Sequence, residues 1–150
     1  MANGDKKKGK STIMNIQKFV LGSFAGGIIK FFLGFLFVGV LLKDFFAENG
    51  GPVTNPDTMV WWALVLGNLF SGVLLVYFFT KANISTLKKG ASAGFIVGLL
   101  VGLSNFLVTY AITLSPSLKA VGAHVFVSAI NYAVAGAFVG WLLGYEKKRP

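Results

Sequence analysis

The stretch Gly22 to Gly34, GSFAGGIIKFFLG, decides how this chain is read, because a lysine stands in the middle of an apolar run. Lys30 is about equally far from Phe19 and Leu42, the ends of that run. One helix through both therefore holds its ammonium near the centre of whatever layer it crosses. Roughly 20 residues at 1.5 Å each cover about 30 Å of hydrocarbon, so the run is long enough to span a bilayer. Three further apolar segments follow, giving spans at about 19–42, 59–80, 90–114 and 121–145.

Composition agrees with the segments. Of 150 residues, 55% are hydrophobic and 13% charged, with a mean hydropathy of +0.71. Soluble domains are about a quarter charged. The expectation is an all-α membrane protein, four transmembrane helices in an antiparallel bundle over 19–145. Residues 1–18 form a basic tail and an interfacial turn begun by Ser11 or Thr12, and 146–150 form a second basic tail. Lysines before the first apolar run imitate a signal peptide. The run is too long for an h-region and no small-x-small site follows, so it is read as an uncleaved span.

The net charge of +9 is arranged for a membrane rather than for nucleic acid, whose partners gather bases into a patch on a water-exposed fold. Lys6, Lys7, Lys8, Lys10, Lys18, Lys81, Lys88, Lys89, Lys147, Lys148 and Arg149 fall on one side of the four spans. Lys43 and Lys119 fall on the other, with Asp44, Glu48 and Asp57. By the positive-inside rule both termini are cytoplasmic, as expected for a bacterial inner-membrane protein whose lysines meet anionic lipid headgroups. Trp61 and Trp62 suit one interface, Tyr77, Trp141 and Tyr145 the other. The connection at 43–58 breaks at Gly50-Gly51-Pro52, turns at Asn55-Pro56, and offers Asp57 or Thr58 as a cap for span two.

Chemistry is sparse. There is no cysteine, hence neither disulfide nor thiolate metal site, and the one histidine has no partner set for a metal. No cofactor is expected. His124 reads as an interfacial hydrogen-bonding residue, with proton sensing as the functional alternative. Hydroxyls lack a histidine–carboxylate partner at matching depth, so the chain reads as non-enzymatic.

Glycines recur every fourth residue. Span one has Gly22, Gly26 and Gly34; span three has Gly90, Gly94, Gly98 and Gly102; span four has Gly136, Gly140 and Gly144. Small residues at this spacing let backbones approach closely, either inside one bundle or between subunits. A shift of 68 positions pairs Gly22, Ala25, Gly26, Ile28 and Gly34 with Gly90, Ala93, Gly94, Ile96 and Gly102. The same shift pairs Phe70, Gly72, Leu74, Leu75 and Tyr77 with Phe138, Gly140, Leu142, Leu143 and Tyr145. A duplicated two-helix hairpin leaves this pattern, and so does chance among apolar, glycine-rich spans. Under the shift, Lys30 takes the place of Gly98.

The remaining polar residues suggest a midplane layer: Lys30, Asn68, Asn105 and Asn131 on four spans, with Ser71, Ser104, Ser128 and Tyr132 near them. A lysine there costs about 3 kcal/mol, and no acid lies within a span. It must snorkel, deprotonate, bind an anion, pair with another subunit's acid, or be solvated by asparagine and serine oxygens. The asparagines are either interhelical hydrogen-bonding groups or a polar site for a small solute or ion.

Two resemblances follow. KFVLGSFAGGIIKFFLGFLFVGVLLKDFFAENGG, WWALVLGNLFSGVLLVYFFTKANIST and KKGASAGFIVGLLVGLS together resemble a family of small bacterial four-span inner-membrane proteins of unknown function. The likeness covers nearly everything after residue 15; it implies a four-helix bundle and supplies no activity. That family tends to carry an aromatic residue at the place of Lys30 and an acid near Asn105-Phe106, so the polar centre here is a departure. A weaker similarity is to the small fluoride channels, four-span proteins that work as dimers. Gly22, Gly26 and Lys30 are similar to their Gly-x-x-x-Gly-x-x-x-Arg stretch and Asn68-Leu69 to their span-two asparagine. Their Thr-Thr-Phe-Ser run is not intact at Ser104-Asn105-Phe106, and their weak charge bias differs from the strong bias here.

The functional expectations are two. One is a non-catalytic bundle acting by association, as a homo-oligomer or as an accessory subunit of a membrane complex. The other is a channel or transporter for a small anion or solute, working as a dimer.

Overall fold

A computed structural model describes residues 16–50, 57, 60–113 and 117–145. The expected turn at Ser11 to Met14, the breaks at 51–56, Thr58, the end of span three at Ser115-Pro116 and the tail at 146–150 lie outside them. All regular structure among the described residues is helical: α1 (Ile16–Gly34), a π-helical segment (Phe35–Leu41), α2 (Lys43–Glu48), α3 (Trp61–Lys81), α4 (Leu87–Thr113) and α5 (Leu118–Tyr145). Four stretches are long and apolar enough to cross a membrane: Ile16–Leu41, Trp61–Lys81, Leu87–Ala111 and Leu118–Tyr145. The spans based on α1, α4 and α5 start about three residues before their apolar cores do, because basic residues such as Lys88, Lys89 and Lys119 are good helix formers.

Local chemistry sets several ends. Asn83 adopts the left-handed conformation at φ 55°, and Ile84 N–H donates to the Phe79 carbonyl at 2.8 Å. This is the pattern that satisfies a helix's last carbonyls. Thr86 Oγ1 then accepts from Lys89 N–H at 3.3 Å and starts α4. Ser117 Oγ accepts from Ala120 N–H at 3.2 Å and starts α5, while Ser117 N–H donates to the Asn49 carbonyl at 3.0 Å, tying α5 to the end of α2. α3 departs from expectation: it begins after Val60 with no side-chain cap, so Asp57 does not start it.

α1 and α5 are central, with α3 packed mainly on α1 and α4 on α5. Along α1, Gly22 meets Val76 and Leu142, Gly26 meets Gly72 and Val139, and Gly34 meets Asn131. Partner numbers thus fall on both α3 and α5 as α1's rise. On α4, Gly90 faces Gly136 and Gly140, Gly94 faces Tyr132, and Gly98 and Gly102 face Ser128. Gly144 meets the Ser85 carbonyl in the turn before α4. At the common core Leu75, Val76 and Phe79 of α3 join Tyr132, Ala135 and Val139 of α5.

The sequence offset does not carry over to this packing. Gly26 lies against Gly72, but Gly94, its counterpart under the shift, lies against Gly136 rather than Gly140. The second pair is slid by one helical turn.

Candidate functional site

The centre of the molecule is where α1, α3 and α5 meet. Lys30 follows Gly26 and Gly27, whose lack of side chains lets α1 lie close on its neighbours. A Cβ built on Gly27 would stand 2.9 Å from Leu69 Cα and 3.0 Å from the Asn68 carbonyl. Lys30 is therefore carried into the protein and is only 7% exposed. Its Nζ sits 3.5 Å from the centroid of the Tyr132 ring. The ring's negative face attracts a cation, by about 2 kcal/mol or more once both are desolvated. Among the described residues neither an acid nor an asparagine or serine oxygen meets Nζ. Of the outcomes open from sequence, snorkelling and solvation by those oxygens are not what this geometry does.

Tyr132 is held in turn. Its Oη donates to Ser71 Oγ at 3.1 Å, and Ser71 Oγ donates to the Gly67 carbonyl at 3.0 Å. Asn131 Nδ2 donates to the Lys30 carbonyl at 3.2 Å, linking α5 to α1. Asn131 Oδ1 is buried and has no hydrogen-bond partner among the described residues. α1 and α5 thus bring together a buried amine, an aromatic face and an amide that ties the two helices.

The expected midplane layer is only partly assembled. Lys30, Asn131, Tyr132 and Ser71 come together. Ser128 instead serves the α4 contact, donating to the Gly98 carbonyl at 3.0 Å. Asn68 turns back on its own helix, donating to the Leu64 carbonyl at 2.9 Å. Ser104 and Asn105 are exposed. Nor is Asn105 at the depth of Asn131. Its neighbour Phe106 stacks on His124, with ring centroids 4.1 Å apart, about two helical turns along α5 from Asn131. Counting from the expected limits placed it too near the middle, because α4 and α5 both begin about three residues earlier than expected.

His124 is placed among aromatic rings. It lies between Phe106 and Phe46, at 4.1 and 6.3 Å between centroids, and its buried Nδ1 has no partner among the described residues. It packs as an aromatic against both rings. Among the described residues no group of histidine and acidic side chains is placed to hold a metal.

Three contributors were missed from sequence. Gly72 meets the Ser23 carbonyl and the Gly27 amide, a close approach of α3 to α1 that leaves no room for a side chain. Gly27 falls off the four-residue row, although a Gly-Gly pair inside a helix is itself a sign of close packing. Phe46 is fully buried from a six-residue helix that looked like part of a solvated loop.

No family model matches the chain, and neither the curated proteins nor the solved structures contain a match to it.

Proposed function

We propose that this is a small integral membrane protein without catalytic machinery, acting by helix association as a homo-oligomer or as an accessory subunit of a membrane complex. One observation carries the reading. Residues 61–67 of α3 and 107–111 of α4 are exposed around their full circumference. Two spans are thus left uncovered over more than a turn each, and one of them carries the exposed polar pair Ser104 and Asn105. The opposed registers along α1, α3 and α5, and along α4 and α5, support an antiparallel bundle. The lysine distribution supports cytoplasmic termini in a bacterial inner membrane, with anionic headgroups at the basic tails. Native mass spectrometry and crosslinking in several mild detergents test the proposal. A multimer or a stable heteromeric complex is expected, and a lone monomer throughout would sink it.

A second reading rests on the Lys30 centre. A buried lysine that no acid among the described residues meets favours a site for a small anion or solute crossing the bilayer. Flux of a panel of anions into proteoliposomes, compared with Lys30→Ala, is the check. Flux that the substitution abolishes supports transport, and absence of flux in both proteins removes it.

A further inference from the structure

The short helix α2 meets α5 at His124 and at Ser117. Phe46, fully buried, lies against the His124 ring at 6.3 Å between centroids, with the two planes 64° apart. At the end of α2 the Asn49 carbonyl accepts Ser117 N–H at 3.0 Å. Asn49 Oδ1 accepts from Ser117 Oγ at 3.5 Å, a long hydrogen bond. At its other end α2 follows Leu42, whose φ of −113° and ψ of 14° lie outside the helical region. Hinges are element-terminal residues of this kind, which absorb a change in φ and ψ.

The ring under α2 is the chain's one histidine. Phe106 of α4 stacks on it at 4.1 Å, and its buried Nδ1 meets no partner among the described residues. A neutral imidazole tolerates this, because one of its nitrogens carries no hydrogen. Taking up a proton makes both nitrogens donors and sets a positive charge between two phenyl rings. The rings attract that charge, but a buried N–H still needs an acceptor. The titratable side chains of the adjoining segments supply none. Lys43, Asp44 and Glu48 of α2, Asp57 in the connection before α3, Tyr110 of α4 and Lys119 of α5 are all exposed. Tyr132, two turns further along α5, gives its hydroxyl to Ser71, and the π-helical segment carries no titratable group. Of the two phenyl groups, Phe106 is held in place, because Gly98 and Gly102 seat the α4 backbone on Ser128 and Val125. Phe46 stands on the helix that can turn.

We infer that α2 is an acid-released latch, docked on α5 while His124 is neutral and swung away about Leu42 when His124 takes up a proton. Release frees Phe46, breaks the Asn49–Ser117 bonds and lets the charged ring reach water. The docked form has no place for the proton and the released form has one, so a fall in pH shifts the population toward release. Ring and latch belong to one chain, so the device does not depend on the association reading above.

One histidine and no cysteine make the test direct. Spin labels on Ala47→Cys in α2 and Phe126→Cys in α5, both at exposed positions, report docking of the full chain in detergent micelles. The imidazole proton resonance of the unlabelled chain reports the proton. The labels should move apart by roughly 10 Å, a helix diameter, between about pH 8 and about pH 4.5, on either side of the ordinary histidine value. The midpoint should match that of the histidine resonance. His124→Phe keeps an aromatic ring that takes no proton, and should hold the short separation throughout. Phe46→Ala, which removes the latch's anchor, should release at higher pH than the wild type. Release that persists in His124→Phe belongs to Asp44 or Glu48 and overturns the proposal. A separation that stays short across the range overturns it too, whether or not the histidine titrates. Should His124→Phe not fold, the two wild-type midpoints decide, and midpoints that fall apart count against the latch.

Discussion

The α4–α5 contact and the α1–α5 contact are both built on rows of small residues, and only one of them admits a charge. On α4 the row Gly90, Gly94, Gly98, Gly102 is unbroken, and every member lies against backbone or Cβ atoms of α5. On α1 the row runs Gly22, Gly26, Lys30, Gly34, and the lysine stem fills what would otherwise be backbone contact. Tyr132 serves both sides: its backbone meets Gly94 and its Cβ meets Gly98, while its ring receives Lys30 Nζ. The difference teaches that close approach and a polar centre compete for the same helix face. α5 holds both by turning a different side to each neighbour.

The largest expected effect breaks the uncharged contact. A Cβ on Gly94 would be driven into the Tyr132 carbonyl, and one on Gly136 would lie 2.5 Å from the Gly90 carbonyl. Backbone cannot rotate away as a side chain can. Gly94→Ala should cost about 3 kcal/mol, the upper end for overpacking, seen as a fall in thermal stability in detergent. A near-neutral Gly94→Ala would mean that α4 and α5 stand further apart.

The next breaks the charged contact, with the opposite sign. Lys30→Met keeps the length of the stem and removes a charge whose burial costs about 3 kcal/mol. Setting that against the lost attraction to Tyr132, the variant should gain about 1 kcal/mol. Such a gain, accompanied by loss of anion flux, would mark Lys30 as retained for function at the expense of stability. Destabilisation by Lys30→Met would instead mean that the amine contributes an interaction beyond the ring.

A smaller effect separates ring from hydroxyl. Tyr132→Phe keeps the aromatic face but loses the bond to Ser71 Oγ. Ser71 still donates to Gly67, so no buried donor is orphaned. The cost should be about 1 kcal/mol in the same melts, and Tyr132→Leu, which also removes the ring face, should exceed it.

Much of this frame was legible in the sequence. Span number and approximate limits follow from apolar length alone. The rows at Gly90 to Gly102 and Gly136 to Gly144 could be seen because four-residue spacing returns to one face of a helix. What stayed hidden depends on how helices slide and splay. Asn68, Asn105 and Asn131 look level when counted along their expected spans, yet α4 and α5 both begin earlier than those spans do, and Asn68 chooses its own helix over a neighbour. The π-helical turn at Phe35–Leu41 has no composition signal, and the burial of Phe46 beyond it depends on α2 docking at Asn49 and Ser117.

The smallest effect sharpens the comparison by showing where glycine is not needed for packing. A Cβ on Gly67 or on Gly122 would meet nothing within 4 Å. Both lie inside helices, where glycine costs roughly 0.5–1 kcal/mol relative to alanine. Gly67→Ala and Gly122→Ala should therefore raise stability by about that amount in the isolated chain, against the large loss at Gly94. The same substitutions also report on assembly, because a partner seated on α3 would meet the new methyl group. If Gly67→Ala stabilises the isolated chain and leaves the assembly intact, the α3 face is open and the contact lies elsewhere. If it stabilises the isolated chain and disperses the assembly, Gly67 is a third place where glycine is kept for a close approach, this time between chains.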